Sequence, residues 1–173
     1  EIVVTNALTG LPEYYGREMM AQDDYRLIMA SSAIPVACRP VKLNGVPYFD
    51  GGLTDAIPVR RALEQGCDKL VVILSKNRAY VRKPQGMRRL YRRACRSYPH
   101  IVDAIDRRHV VYNDNLKDVF SLEREGTAFV FAASEPIHVG TYSMKEDAER
   151  NLYDLGLRDF AAWKNDLLEF LSI

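Results

Sequence analysis

A layered α/β fold is the expectation for this 173-residue chain, and three stretches carry it. Val41-Lys42-Leu43, Asn44-Gly45 and Val46-Pro47-Tyr48-Phe49 read as a hairpin, because Asn-Gly supplies the positive φ angles of a type I′ turn. Pro58 opens a helix through Leu63, which Gly66 closes. Lys69 to Leu74 is a nearly unbroken apolar run, as in a strand buried on both faces of a parallel sheet. Strand, helix and buried strand in that order indicate α/β layering.

The remaining elements follow in order. Within residues 1–4, Ile2-Val3-Val4 is apolar and β-branched, Thr9-Gly10 is a turn signal, and Glu13-Tyr14-Tyr15 reads as a second short strand. Asp23-Asp24 before Tyr25, Leu27, Ile28 and Met29 marks an N-capped short helix, ended by Ile34-Pro35. Past Leu74 the chain turns mainly helical. Met87 to Tyr98 has helical spacing, with a break at Pro99. Ile101, Val102 and Ile105, then Leu116, Val119 and Phe120, give two further amphipathic segments, the second ended by Gly126. Ala128-Phe129-Val130-Phe131 is another buried strand. Residues from Ala148 to Leu171 make a terminal helical pair hinged near Gly156.

Composition is that of an ordinary globular protein, 47% hydrophobic and 27% charged, and the length suits one structural unit. No apolar run is long enough to span a bilayer, and Glu1-Ile2-Val3-Val4-Thr5 has no signal-peptide shape, which points to a cytoplasmic location. Cys38, Cys67 and Cys95 form no C-x-x-C pair, and His100, His109 and His138 have no metal-ligand spacing. No metal or organic cofactor is expected. Nothing in the pattern specifies an oligomeric state.

Chemistry concentrates in Phe49-Asp50-Gly51-Gly52-Leu53-Thr54-Asp55-Ala56-Ile57-Pro58. Alone, Asp-Gly-Gly is a turn. Here Asp50 ends a strand, where α/β folds place functional loops, and two glycines let the backbone turn sharply beside another loop. A carboxylate held there can take a proton from a serine hydroxyl. Asp55 reads as ordering the turn before the helix, and Ser31 and Ser32 as helix-terminating residues without an elbow's glycines.

With Ala30-Ser31-Ser32-Ala33-Ile34-Pro35 upstream, and Ile57-Pro58-Val59 and Ala62 after it, this motif resembles the patatin-like phospholipase domain. Thr5-Asn6-Ala7-Leu8-Thr9-Gly10 is similar to that family's preceding strand and turn. Pro99-His100-Ile101-Val102, His109-Val110-Val111-Tyr112-Asn113 and Ser134-Glu135-Pro136 resemble the C-terminal extension of a bacterial branch. The resemblance implies a three-layer α/β/α fold, incomplete here, with additional C-terminal helices. Residues 1–75 would be the C-terminal part of the catalytic domain, and 76–173 a mainly helical region packed on it as one unit. It implies a lipid acyl hydrolase whose serine, on a G-x-S-x-G elbow, is served by Asp50 as base, with Gly51 and Gly52 shaping the loop. No histidine is then needed, and Ile34, Val36 and Phe49 are candidates to line an acyl pocket.

The sequence has no G-x-S-x-G; Gly140-Thr141-Tyr142-Ser143-Met144 lacks the second glycine, and no glycine-rich oxyanion loop precedes the motif. In the family both elements come before the matched segment. The expectation is therefore a nucleophile upstream of residue 1, and a chain that is inactive alone as an ester hydrolase. The alternative is a non-catalytic patatin-like module that binds membrane or a protein partner.

Charge is segregated. Nine cations and no acids lie between Lys76 and Arg96, so a net charge of +1 leaves −8 for the rest. Arg88, Arg89, Arg92, Arg93 and Arg96 fall on one helical face, opposite Met87, Leu90, Tyr91, Ala94, Cys95 and Tyr98. That face suits contact with the anionic headgroups of a phospholipid substrate's membrane, which would make the protein peripheral. The alternative is a solvated helix packing its apolar side on the domain. No nucleic-acid motif accompanies the charges, and no nucleic-acid partner is expected.

Overall fold

The computed structural model describes residues 1–137 and 146–172, which form a mixed α/β structure. Contacts divide it into two compact units, Glu1–Pro58 with Arg82–Leu116, and Val59–Val81 with Lys117–Ile173.

In the first unit, β1 (Ile2–Asn6), β2 (Pro12–Tyr15), β3 (Val41–Leu43) and β4 (Val46–Asp50) form an antiparallel sheet in the order β2-β1-β4-β3. The β3–β4 hairpin turns through Asn44 at φ 49° and Gly45 at φ 85°, as the Asn-Gly pair requires. Pairing of Val4 with Asp50 and Thr5 with Phe49 puts β1 beside the end of β4.

Helix α1 (Arg26–Ser31) starts after Asp24, whose carboxylate accepts from the Arg26 N–H at 3.1 Å. It ends at Ser31, short of Ile34-Pro35. Past Ser31 the Ala33 N–H turns back to Ala30, and the Ala33 carbonyl is taken by the Asp50 N–H at 3.0 Å instead of a further helical turn.

Tyr48 and Phe49 explain why β4 stays in place. Neighbouring side chains on a strand point to opposite faces. Tyr48 is buried with Val4, Leu27 and Ala30, and Phe49 with Ala7, Tyr91, Ile101 and Ile105. Two hydrophobic cores therefore flank one strand.

Helix α3 (Arg88–Ala94) stops four residues before Tyr98, because the Tyr98 N–H closes a tight turn on Cys95 just ahead of Pro99. Arg96 consequently lies beyond the helix that was to carry it. Helix α4 (Pro99–Arg124) merges the two expected amphipathic segments into one of 26 residues. Neither glycine nor proline interrupts it, and the β-branched Val110-Val111 pair costs too little to do so. Gly126, at φ 75°, supplies the left-handed residue after its end.

The second unit contains α2 (Val59–Glu64), β5 (Leu70–Asn77), β6 (Ala128–Ala133) and α5 (Glu146–Leu171), with β5 and β6 parallel. Gly66, at φ 87°, follows α2 as expected. β5 departs from the reading of a strand covered on both sides. Leu70, Val72 and Leu74 are buried, whereas Val71 is 44% and Ile73 79% exposed. The exposed row borders an apolar groove of about 480 Å³ shared with Phe131, Leu152, Leu155 and Phe160. Helix α5 runs unbroken through Gly156, so no hinge forms there; one glycine costs about 1 kcal/mol, too little to break so long a helix. Among the described residues no helix is long and apolar enough to cross a membrane.

Candidate active site

Asp50 closes β4 with φ −48° and ψ 125°, and its carboxylate Oδ1 accepts the Gly52 N–H at 2.8 Å. That bond caps a short 3-10 turn, Gly51–Leu53. The Asp50 side chain is 19% exposed. Its own N–H donates to the Ala33 carbonyl, and its carbonyl accepts from the Thr5 hydroxyl at 2.8 Å. Thr5 is wholly buried and also shares a hydrogen bond with Thr54 at 2.9 Å. The Ala33 segment, β1 and the turn thus all hold the backbone that presents the carboxylate.

The two glycines serve different ends. A Cβ on Gly51 would lie 2.2 Å from the Val3 carbonyl oxygen, so the turn packs on β1 at a distance no side chain permits. A Cβ on Gly52 would meet Asp50 Oδ1 at 3.2 Å and Arg108 Nη2 at 3.4 Å, a tight but less severe fit.

Three residues that were not singled out from the sequence complete the turn. Arg108 of α4 donates through Nε to the Gly52 carbonyl at 2.8 Å, which sets its Nη2 4.0 Å from Asp50 Oδ2. Asn115, on the same helix, donates to Asp55 Oδ1 at 2.7 Å, and Tyr14 of β2 donates to Asp55 Oδ2 at 2.6 Å. Asp55 orders the turn, as expected. Arg108 sits in a run of charged residues, Asp106-Arg107-Arg108, where nothing separates a loop anchor from a solvated cation.

Behind the turn a polar cluster stiffens β4. Glu13 accepts from the hydroxyls of Tyr15 at 2.5 Å and Tyr48 at 2.7 Å, and from Asn6 Nδ2 at 2.6 Å. Burial pushes the Glu13 carboxyl up, but hydrogen bonds from Tyr15, Asn6 and Tyr48 outweigh it and hold it below its ordinary value. Burial, with the bonds to Tyr15 and Glu13, raises the Tyr48 phenol far above its usual range.

The other candidates fall where ordinary structure explains them. The Ser32 N–H closes the end of α1 on Ile28, and Ser31 is the last residue of that helix. Neither His100 nor His109 hydrogen-bonds Asp50. His109 keeps a buried Nδ1 without a hydrogen-bond partner, so no carboxylate orients its ring. His100 is exposed, and its Cβ approaches Gly10 so closely that a Cβ there would lie 2.8 Å away. His138 and residues 140–144 lie outside the described residues. Phe49 is buried in the core, packed edge to face on Tyr98, and Val36 is 46% exposed at a φ of 77°. Among the described residues no cluster of His, Cys, Asp or Glu could hold a metal ion.

Arg88, 57% exposed, is already paired with an acid. Its guanidinium pairs with Asp106, Nη2 to Oδ2 at 2.6 Å, and Asp106 also accepts from the buried Tyr91 hydroxyl. The Arg88 bond, then Tyr91, hold the Asp106 carboxyl below its usual value. Arg89, Arg92, Arg93 and Arg96 are exposed.

Parts of the sequence match known families. Residues 13–63 match the family model of patatin-like phospholipase, and residues 98–172 match that of a domain of unknown function (DUF6363). The Asp50 turn lies in the first match, and Arg108 and Asn115 in the second. No solved structure matches the chain. A curated relative, the uncharacterized protein YjjU of Escherichia coli (strain K12), is 33% identical over 132 residues, 75% of this chain. The chain spans 37% of the length of that relative, and its similarity to the patatin-like phospholipase family rests on residues 13–63.

Proposed function

We propose that this chain supplies the base of a serine–aspartate dyad in a patatin-like lipid acyl hydrolase. The single observation that carries the reading is the state of the Asp50 carboxylate. Oδ1 is committed to the Gly52 N–H, the side chain is mostly but not wholly covered, and Oδ2 lies outside hydrogen-bond range of Arg108. An acceptor oxygen in a fixed turn is what a serine nucleophile needs from its base.

On this reading the partner serine belongs to a part of the gene product outside these 173 residues, whose sequence contains no G-x-S-x-G. Its Oγ attacks the ester carbonyl carbon while its proton passes to Asp50. The same proton leaves with the alcohol as the acyl-enzyme forms. Water then attacks the acyl-enzyme, giving a proton to Asp50, and the carboxylic acid departs as the serine is restored. Substrates are carboxylic esters of phospholipids or related acyl lipids. The two cores on either side of β4 support a three-layer α/β/α arrangement. Arg89, Arg92, Arg93 and Arg96 are proposed contacts for an anionic membrane surface.

The test is fluorophosphonate labelling and ester hydrolysis by the full-length gene product, beside its Asp50→Asn variant and this chain alone. Wild-type full-length protein should label and turn over, and both other proteins should be inert. Near-normal hydrolysis by Asp50→Asn would remove Asp50 from the mechanism. Labelling of this chain alone would place a nucleophile within it. No labelling of any of the three would favour a non-catalytic binding module.

A further inference from the structure

Arg108 and Asn115 are seven residues apart on α4, two helical turns, so their side chains leave the helix on one face. Both end on the loop that follows β4. Arg108 takes the Gly52 carbonyl, and Asn115 takes Asp55 at 2.7 Å and the Ile57 carbonyl at 3.3 Å. The segment from Asp50 to Ile57 is therefore held at both ends by one rigid element. We infer that the first half of α4 is a built-in part of the active site, with Arg108 a positioning residue for Asp50. This rests on the reading of Asp50 as the base, and it gives residues 98–116 of the DUF6363 match a role in that same site.

The physical case lies in the shape of the guanidinium. Its nitrogens are coplanar and fixed relative to one another, so anchoring Nε also fixes Nη2. The Arg108 side chain is only 20% exposed, and its anchor is the Gly52 carbonyl, two residues from the carboxylate it faces. The Gly52 N–H meanwhile holds Asp50 Oδ1. One residue, Gly52, is thus gripped by Arg108 on its carbonyl and grips Asp50 with its amide. Movement of that residue would move the carboxylate. At 4.0 Å, Nη2 stops short of a hydrogen bond to Oδ2 and leaves that oxygen able to accept a proton.

A solvated surface arginine would leave turnover unchanged when replaced; a positioning residue would not. The experiment uses the full-length gene product with a p-nitrophenyl acyl ester as substrate, comparing wild type, Arg108→Gln, Arg108→Lys and Asp50→Asn. Turnover is referred to the folded fraction measured by circular dichroism. Displacing a catalytic group by about 1 Å lowers rate by roughly 10²-fold, so kcat of Arg108→Gln should fall on that order, with KM close to wild type. Arg108→Lys keeps the charge but lacks the fork, and should recover only part of the loss. Wild-type kcat in both Arg108 variants, a change in KM alone, or a loss fully explained by a smaller folded fraction would overturn the inference. If Asp50→Asn is dead while Arg108→Gln is normal, only the role of Arg108 falls. If Asp50→Asn is active, or wild type is inert, the dyad reading falls and takes this inference with it.

Discussion

Replacing Gly51 by alanine tests the geometry of the turn more sharply than any change to a charged group. The glycine does not sit at positive φ, so its need is steric, set by the approach to β1. The added Cβ would lie 2.2 Å from the Val3 carbonyl oxygen and 2.5 Å from its carbon. Reaching ordinary contact near 3.4 Å demands about 1.2 Å of movement between two hydrogen-bonded backbones. Overpacking of this kind costs about 1–3 kcal/mol. Loss of the Thr5 hydroxyl bond to the Asp50 carbonyl would add about 1 kcal/mol. Together these give roughly 2–4 kcal/mol, which for a chain of this size is a fall in melting temperature of about 5–15 °C. Thermal unfolding by circular dichroism measures it, with Gly45→Ala as the reference. Gly45 has φ 85° and nothing within 4 Å of the added carbon, so it should cost only the backbone strain, about 1–2 kcal/mol. A Gly51→Ala protein that melts with the wild type, or above Gly45→Ala, would refute the steric account.

Two further outcomes follow from other parts of the structure. Glu13 has a folded-state pKa below its ordinary 4.5, so its contribution to stability is complete above that value and disappears as pH falls through the lower, folded one. Glu13→Gln should therefore lose less stability than wild type between neutral and strongly acid pH in urea titrations; parallel losses would show that the cluster does not couple to protonation. Replacing Arg89, Arg92, Arg93 and Arg96 with glutamine should weaken co-sedimentation with phosphatidylglycerol vesicles by about 1 kcal/mol per charge, and more at low salt. Unchanged sedimentation would mark those arginines as solvated only, and adding Arg88→Gln should then destabilise through Asp106 without altering vesicle binding.

Where local chemistry decides the backbone, the amino acids predict the structure well. Asn44-Gly45 gives its hairpin, Gly66 and Gly126 follow their helices, and Glu13-Tyr14-Tyr15 pairs with the opening strand. Asp50 stands out in the sequence through its place at a strand end before two glycines and through the family resemblance, and it does close β4 at the Gly51–Leu53 turn. Arg108 and Asn115 do not stand out, since their significance depends on which loop the helix meets 56 and 60 residues away in sequence. The same limit explains β5. Its apolar run says that both faces avoid water in some setting, but the alternation of Val71 and Ile73 with buried neighbours depends on what packs there. Continuity of α4 and α5 was missed for a different reason. A gap in apolar periodicity, or a lone glycine such as Gly156, resembles a break, although neither costs a long helix enough to interrupt it.

The opposed burial of Tyr48 and Phe49 also determines where the gene can change length. Adding or deleting one codon between Val46 and Asp50 would turn each side chain into the other's core and carry the aspartate to the wrong side of the sheet. Related genes should therefore preserve the spacing of this strand to the residue. They should vary instead around Lys83-Pro84-Gln85-Gly86, where the chain is exposed and Gly86 meets no neighbour within 4 Å.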